Sequence, residues 1–269
     1  MPELPEVETI ANGLDKRIRG ERIESVWVGS KPEPLKSPAA EIARTLEGAR
    51  VEQVRRVGKH IVFDLAARNN GRSQWIVHLG MTGRMLVAPG ASEVPKHTHL
   101  VARLASGREL LFVDPRRFGR LEVQHGGFSG PGAEPLTIAS EEFAQLFHSR
   151  TAPIKALLLN QSLLHGVGNI YTDESLFRAG IRPRRRANTL TRAELKKLHA
   201  SLREVLKEAI AAGGSSVSDY VDADGEEGFF QLQHRVYGRE GEPCLRCKKK
   251  IRKIVVAGRG THYCPKCQR

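Results

Sequence analysis

Four cysteines near the end of the chain constrain its fold more than any other feature. Cys244, Cys247, Cys264 and Cys267 form the pattern C-x2-C-x16-C-x2-C, and they are the only cysteines among 269 residues. This spacing predicts one Zn²⁺ ion held tetrahedrally by four thiolates. Two disulfides are the alternative, which the absence of an export signal disfavours. Because four thiolates leave no coordination position open, we expect the zinc to be structural.

The residues between the two cysteine pairs predict a small β-hairpin. Ile251 and Ile254–Val256 supply apolar strand positions, and Gly258-Arg259-Gly260 follows them. A ribbon of this size has almost no core and needs its metal in order to fold. The hairpin would carry Arg259 at its tip, where the flanking glycines let the backbone approach a phosphate. A solvated turn arginine is the alternative.

The beginning of the chain carries a second distinctive pattern, Pro2-Glu3-Leu4-Pro5-Glu6. Once the initiator methionine is removed, Pro2 would present a secondary amine. Such an amine is a nucleophile that condenses with a sugar aldehyde carbon to form a permanently cationic iminium. Glu3 and Glu6 are three residues apart and would lie side by side on a helix, next to that amine. The alternative is structural: Pro5 begins the helix, and the two carboxylates complement its dipole.

The charge balance favours an anionic partner. The chain has 43 Lys and Arg against 30 Asp and Glu, which gives a formal net charge of +13. Nucleic acid is the commonest partner of such a chain, and a basic but merely soluble surface is the alternative. The cations cluster at Arg182, Arg184, Arg185 and Arg186, and again at Lys248–Lys250, Arg252 and Lys253.

The chain has no apolar run long enough to span a bilayer. Acidic residues also stand where a signal peptide would have a basic segment and an apolar core. We therefore expect a cytoplasmic protein that makes no contact with a membrane.

Hydrophobic periodicity predicts a strand-rich first part. Val7, Ile10, Leu14 and Ile18 lie at helical spacing, and Gly20 ends this first helix. From about residue 22 to 125 the pattern changes to short strands without intervening helices, which predicts an antiparallel sandwich or barrel. The predicted strands are 51–54, 61–65, 75–79, 100–104, 109–113 and 121–123, with a turn at Asn69-Asn70-Gly71.

The second part of the chain is predicted to be helical. Residues 126–135 are rich in Gly and Pro and form the linker to it. Thr191 and Glu194 predict a capping box at the start of a long helix that ends at Gly213-Gly214. The turn at 165–168 joins two short helices into a helix–turn–helix-like clamp. Shorter helices are predicted from a Ser140 N-cap to about His148, from Pro153 to Leu159, and from an Asn169 N-cap to Ala179 with Gly180 at the C-cap.

Taken together, five ordered motifs resemble the formamidopyrimidine-DNA glycosylases, bacterial repair enzymes for oxidised purines. The resemblance runs from the first residue to the last. The motifs are Met1-Pro2-Glu3-Leu4-Pro5-Glu6-Val7-Glu8-Thr9, His78-Leu79-Gly80-Met81-Thr82-Gly83, Asp114-Pro115-Arg116-Arg117-Phe118-Gly119, Gly166-Val167-Gly168-Asn169-Ile170-Tyr171 and Gly258-Arg259-Gly260-Thr261-His262-Tyr263-Cys264.

The resemblance implies an α+β fold. An N-terminal helix and a two-layer antiparallel β-sandwich would occupy residues 1–130. A helix–two-turn–helix DNA-binding domain with a lesion loop would occupy 131–235, and a zinc-ribbon finger 236–269. The expected partner is double-stranded DNA containing oxidised bases, bound by a monomer in the nucleoid.

The resemblance also implies a bifunctional glycosylase and lyase that cleaves the abasic strand by β,δ-elimination. Its catalytic residues would be Pro2 as nucleophile, Glu3 for proton transfer, Glu6 in support, Lys59 in β-elimination and Arg259 in δ-elimination. Met81, Arg116 and Phe118 would fill the gap left by a flipped base, with burial in the core as the alternative for Met81 and Phe118. The residues carried over as DNA-backbone contacts are His97, Arg150, Lys155 and Asn169.

Two other functions remain open at this point. An endonuclease VIII-like glycosylase would act on oxidised pyrimidines, and a non-catalytic zinc-ribbon protein would only bind damaged DNA. Leu4 and the set of Met81, Arg116 and Phe118 disfavour the first. The segment 215–220 departs from the family by lacking a threonine pair and a basic residue before Asp219. In the family this segment leads into the loop that covers the flipped purine, so the departure bears on the range of lesions.

Overall fold

The computed structural model of the chain describes residues 1–67, 71–90, 93–216, 221–223 and 225–269. The turn predicted at Asn69-Asn70 and most of the segment predicted to lead into the lesion loop lie outside these ranges. Among the described residues, no helix is both long enough and apolar enough to cross a membrane.

The described chain divides into two units. The first unit comprises Met1–Ser129 and Ala212–Phe229, and the second comprises Gly130–Ala211 and Phe230–Arg269. The first unit is therefore discontinuous in sequence, because a segment from beyond the long helix returns to it.

Eight strands in the described part of the first unit form two four-stranded antiparallel sheets. These strands are β1 Ile23–Val28, β2 Arg50–Val57, β3 His60–Ala66, β4 Arg72–His78, β5 Arg84–Ala88, β6 Thr98–Leu104, β7 Glu109–Val113 and β8 Arg120–Gln124. One sheet has the order β2-β3-β4-β8 and the other the order β1-β6-β7-β5.

The two sheets share one apolar core, because successive side chains of a strand point to opposite faces and one face of each sheet is apolar. Phe63 of β3 stacks on Trp75 of β4 with ring centroids 4.5 Å apart. Leu100 of β6 and Phe112 of β7, from the other sheet, belong to the same buried cluster. The predicted two-layer sandwich is confirmed.

Helix α1 (Leu4–Ile18) packs its apolar face into this core. Its residues Val7, Ile10, Leu14 and Ile18 are at most 1% exposed, as their spacing predicts. The helix ends before Gly20, whose φ of 84° lies in the left-handed region that glycine adopts without strain. Burial of this face fixes the first turn of α1 against the sandwich.

Three elements of the first unit were not predicted. They are β1, β5 and helix α2 (Ala39–Leu46). Strand β1 buries only Ile23 fully and leaves Trp27 53% exposed, so its alternation is weak. Helix α2 buries only Ile42 and Leu46, a single i, i+4 pair that gives too little periodicity to identify a helix.

The second unit contains four α-helices among its described residues: α3 Ser140–His148, α4 Ile154–Leu158, α5 Asn169–Ala179 and α6 Arg192–Ala211. Short 3₁₀ helices occupy Ala187–Thr189 and Phe230–Gln233. Gly180 ends α5 with a φ of 78°, as predicted. The predicted N-caps are one residue off, since Gly168 and Ala139 hold those positions and Asn169 and Ser140 are the first helical residues.

The predicted capping box at the start of α6 is confirmed. The Glu194 N–H donates to Thr191 Oγ1 at 3.2 Å, and the Thr191 N–H donates to Glu194 Oε2 at 2.8 Å. Arg185 adds two hydrogen bonds to the same carboxylate, at 2.5 and 3.0 Å. The long helix thus begins at a charge-assisted cap.

This cap predicts a pH-dependent contribution to stability. The Arg185 guanidinium lowers the pKa of Glu194 from 4.5 to about 2. Because the folded pKa is depressed, the stabilisation is complete above the unfolded value and is lost as the pH falls towards the folded value. We expect Glu194→Gln to lower the urea midpoint near neutral pH, and the deficit to shrink progressively below about pH 4.5.

Urea unfolding followed by circular dichroism at a series of pH values checks this prediction. Glu204→Gln is the matched control, because it removes an exposed carboxylate from the same helix. A deficit for Glu194→Gln that stays constant across the acidic range would contradict the role given to the Arg185 pair.

Candidate catalytic site and nucleic-acid interface

The chain start is held by a reciprocal capping box. Glu3 is the N-cap of α1 and has an extended backbone, and its side chain accepts the Glu6 N–H. Glu6 Oε2 accepts the Glu3 N–H at 2.8 Å, and Glu6 Oε1 accepts the Ser215 N–H at 2.8 Å. Glu3 therefore precedes the helix instead of lying on its face. The two carboxylates are linked because each accepts the backbone N–H of the other residue. Both Glu6 oxygens bind backbone, which makes Glu6 a positioning group.

Pro2 is buried directly before this cap, and Met1 is 48% exposed. Glu3 is 4% exposed, so its carboxylate is largely removed from water. The structure thus brings Pro2, Glu3 and Glu6 together at the N-terminal end of α1. A free Pro2 amine here would lie beside a carboxylate whose position the cap fixes.

Lys59 lies in the two-residue turn between β2 and β3, where Val57 pairs with His60. Arg56 connects this turn to α1. Its Nε donates to Glu8 Oε2 at 2.5 Å and its Nη1 donates to the Gly58 carbonyl at 3.3 Å. The Arg56 side chain is only 5% exposed, so this ion pair is shielded from solvent. Arg56 was not predicted as part of the site, because one arginine among many gives no sign of its burial.

Met81 and Phe118 lie at the tips of two loops and are 41% and 48% exposed, so neither belongs to the core. The Arg116 guanidinium lies 4.8 Å from the centre of the Phe118 ring.

The loop with Met81 is also held by His78, whose Nδ1 accepts the Gly80 N–H at 3.1 Å. Burial, followed by the nearby charges of His60, Lys59 and Arg120, lowers the pKa of His78 to about 4. His78 is therefore neutral near pH 7 and able to accept this bond.

Two residues predicted to contact a DNA backbone are exposed. His97 lies in the left-handed region with a φ of 68°, which is uncommon for a residue other than glycine. Arg150 follows α3, and its Nε donates to the Leu146 carbonyl at 2.9 Å. Each side chain is accessible from outside its own unit.

The zinc-ribbon hairpin has the predicted form. Strands β9 (Arg252–Val256) and β10 (Arg259–Tyr263) pair antiparallel, and Arg259 pairs with Val256. Ala257 and Gly258 form the two-residue connection with φ values of 50° and 70°, the combination found in type I′ turns. Arg259 is exposed at the start of β10.

A buried polar cluster anchors this hairpin. Asn169 Nδ2 donates to the Gly260 carbonyl at 2.9 Å, and Lys155 Nζ donates to it at 3.3 Å. Lys155 Nζ also lies 2.6 Å from Asp173 Oδ1, and Asp173 Oδ2 accepts the His262 N–H at 2.7 Å.

The predicted role of Lys155 needs correction. Its side chain and that of Asp173 are both 0% exposed, so this ammonium does not reach the surface and cannot contact a phosphate directly in this arrangement. Exposed and buried lysines look alike in a sequence. The partner that compensates the buried charge is 18 residues away along the chain.

The four cysteine sulfurs converge as predicted. Their Sγ atoms all lie within 4.8 Å of one another, and no disulfide joins them. Burial and hydrogen bonding among the thiols raise the pKa of Cys267 to about 12, whereas hydrogen bonds from its neighbours lower the pKa of Cys247 to about 7. A bound cation would favour the thiolate form of all four. Four converging sulfurs with no other ligand type fit one tetrahedral Zn²⁺ ion and leave no position for a substrate.

Glu174 of α5 holds the segment that leads into the ribbon. Its buried carboxylate accepts the backbone N–H groups of Arg235, Val236 and Tyr237 at 2.8–3.0 Å. Burial raises the pKa of Glu174 against the opposing effect of these hydrogen bonds. This role of Glu174 was not predicted, since no residue spacing links a helical glutamate to a loop some 60 residues later.

Family models match three successive parts of the chain. The formamidopyrimidine-DNA glycosylase N-terminal domain matches residues 1–121 and the H2TH domain of the same family matches 130–221. A zinc finger found in FPG and IleRS matches 241–269. The ribbon match agrees with the cysteine geometry and supports the zinc assignment.

Full-length relatives agree with these matches. A formamidopyrimidine-DNA glycosylase of Desulfitobacterium hafniense is 44% identical over 280 residues, covering all of both chains. A solved complex of a Lactococcus lactis FPG variant with Fapy-dG-containing DNA has a TM-score of 0.90 at 35% identity, again over all of both chains. Wild-type Lactococcus lactis FPG bound to DNA with an oxidised pyrimidine gives 0.88 at 35% identity and the same coverage. The chain belongs to the formamidopyrimidine-DNA glycosylase family.

Proposed function

We propose that this protein excises oxidised purines, chiefly 8-oxoguanine and formamidopyrimidines, from duplex DNA and then cleaves the abasic strand. The observation that carries the proposal is the buried Pro2–Glu3 pair, fixed by the Glu6 cap at the N-terminal end of α1. The Lactococcus lactis relative solved with Fapy-dG-containing DNA supports the substrate class.

The proposed chemistry begins with the Pro2 amine, freed by removal of Met1. Its nitrogen attacks C1′ of the damaged nucleotide, a C–N bond forms, and the glycosidic bond breaks as the base leaves with a proton. The C1′–O4′ bond then breaks as O4′ takes a proton, which opens the sugar and leaves a cationic iminium at C1′. This iminium draws electrons from C2′. Loss of a C2′ proton then breaks the C3′–O bond, and a second elimination breaks the C5′–O bond. Glu3 carries the protons, as a general acid–base beside the nucleophile.

An unprotonated amine is required for the attack, although an α-amino group has a pKa near 8 in water. The net charge of +13 and the removal of water from a closed site favour loss of this proton. Glu3 is the nearest acceptor along the chain. Lys59 assists β-elimination from its turn, and Arg259 assists δ-elimination from the hairpin.

The remaining predicted residues act on DNA that has been distorted. A base cannot react inside the stack, so it must be flipped out at a cost of about a few kcal/mol. Met81 and Phe118 fill the gap, and Arg116 donates to the orphaned base. His97, Arg150 and Asn169 contact the backbone. Lys155, being buried, positions the hairpin instead.

The proposal predicts a covalent adduct between enzyme and DNA. Borohydride reduces the iminium, so mass spectrometry of a digest should find the deoxyribose remnant on the Pro2 nitrogen. Fully active enzyme that retains Met1 would contradict the mechanism.

Two matched variants sharpen this test. Pro2→Gly replaces the secondary amine with a primary one, whereas Pro5→Ala changes a proline of the same turn that carries no reacting group. We expect Pro2→Gly to reduce trapping by about tenfold or more and Pro5→Ala to leave it nearly unchanged. Wild-type protein that binds damaged DNA without trapping or cleavage would favour the non-catalytic alternative.

The second candidate function is excision of oxidised pyrimidines. It is favoured by one observation, the Lactococcus lactis relative solved with DNA containing an oxidised pyrimidine. Single-turnover excision from duplexes that differ only in the lesion separates the two. We expect 8-oxoguanine opposite cytosine and formamidopyrimidine duplexes to react fastest. Faster release of an oxidised pyrimidine would reverse the assignment.

Metal removal should abolish DNA binding. Since the ribbon depends on its four cysteines, chelation is expected to unfold residues 236–269 and to expose them to proteolysis. Fluorescence anisotropy with a lesion duplex, before and after chelation, measures the loss. Readdition of Zn²⁺ should restore binding, and elemental analysis should find about one zinc per chain. Metal-free protein that binds and cuts normally would contradict a structural role.

A further inference from the structure

Asp114 lies at the end of β7 and is 0% exposed. Its carboxylate accepts hydrogen bonds from two different loops. Oδ1 accepts the Thr82 hydroxyl at 2.6 Å and the Arg116 N–H at 3.2 Å, and Oδ2 accepts the Gly119 N–H at 2.7 Å. One buried charge therefore joins the loop with Met81 to the loop with Arg116 and Phe118.

The strand order explains why these loops meet at Asp114. Val113, the last residue of β7, pairs with Arg84 at the start of β5 and with Thr98 at the start of β6. The loop that enters β5 and the loop that enters β6 therefore flank the end of β7. The chain after Asp114 continues between them.

The main chain of Asp114 also binds a third loop, the one that leads into β6. Its N–H donates to the carbonyl of His97 at 3.0 Å, and its carbonyl lies 2.9 Å from Nε2 of the buried His99. His97 has a left-handed backbone that this contact helps to hold. All four residues of the first unit that we assign to DNA contact are thus attached to one aspartate.

The two loop tips are also packed too closely to move separately. A Cβ on Gly80 would lie 2.5 Å from the carbonyl carbon of Phe118, and a Cβ on Gly119 would lie 2.5 Å from the Phe112 ring. Gly80 also has a φ of 62°. Backbone contact at these glycines, together with the shared carboxylate, makes the two tips one rigid piece.

We propose that Asp114 is a positioning residue that sets Met81, Arg116 and Phe118 as a single preformed wedge for insertion at the lesion. This inference rests on the proposed function. Asp114 would assist extrusion of the base and would take no part in the reaction at the sugar. Because the wedge is already formed, binding does not have to order two loops on the DNA, and the entropic cost of binding is smaller.

A carboxylate suits this role because three donors converge on it and it offers acceptor lone pairs without a donor of its own. An asparagine at position 114 would replace one carboxylate oxygen with an NH₂ group. That group would face either the Gly119 N–H or the Thr82 and Arg116 donors. The buried N–H groups would then lack an acceptor.

Thr82 allows the bond to be tested without touching a DNA contact. Thr82→Val keeps the side-chain shape and removes the hydroxyl, whereas Thr82→Ser keeps the hydroxyl and removes a methyl group. Two substrates separate extrusion of the base from the reaction at the sugar. One is a duplex with 8-oxoguanine opposite cytosine. The other is the same duplex with a preformed abasic site, where no base has to be unstacked.

We expect Thr82→Val to slow single-turnover 8-oxoguanine excision by about tenfold, the size expected for loss of a buried hydrogen bond to a charged group. Borohydride trapping on the abasic duplex should stay within about twofold of wild type, and Thr82→Ser should behave like wild type on both. A fluorescent base placed beside the lesion should report slower unstacking with Thr82→Val only.

An equal loss on both substrates, or no loss on either, would overturn the positioning role. Thermal melting would establish whether Asp114→Asn folds. If it does, it should slow 8-oxoguanine excision more than Thr82→Val does and leave trapping on the abasic duplex nearly unchanged. An equal loss on both substrates would overturn the role for this variant too. Failure of the wild type to trap or cut either substrate would instead overturn the proposed function, so the two failures are distinguishable.

Discussion

The hydrogen bond from a backbone N–H to a buried carboxylate is the interaction on which the functional segments depend. Glu6 binds the chain start and the Ser215 N–H, and Asp114 binds two N–H groups of the loop with Arg116 and Phe118. Asp173 holds the ribbon hairpin, and Glu174 holds the segment before it. Such charge-assisted bonds are shorter and stronger than neutral ones, and burial makes the loss of either partner costly. Loops that would otherwise be mobile are therefore held in one conformation.

This use of acidic residues also shapes the charge of the surface. The carboxylates named above are buried, whereas most of the arginines and lysines of the basic clusters are exposed. A net charge of +13 with exposed basic clusters therefore presents a positive potential to a polyanion. A field of this sign speeds association with DNA and makes binding sensitive to salt.

The sequence predicted the elements whose residues repeat regularly. Helix α1, six of the strands and the capping box of α6 were found from periodicity, and the cysteine quartet from spacing. Periodicity failed for β1 and α2, because each buries one or two residues only. It could not find Asp114 or the burial of Lys155, since both depend on partners far away in the chain. For Asp114 an indication was available: an aspartate that directly follows the apolar run Leu110–Val113 and precedes a proline has to satisfy its charge locally.

The discontinuity of the first unit has a consequence for synthesis. The Ser215 N–H reaches Glu6 across 209 residues, and the unit is completed only by Ala212–Phe229. A nascent chain therefore cannot finish its amino-terminal half until nearly all of the helical half has left the ribosome. A chain whose translation stops before Ala212 would lack the bond from the Ser215 N–H to Glu6 at the start of α1. The first unit of such a chain would be incomplete, because its last segment comes from beyond the long helix.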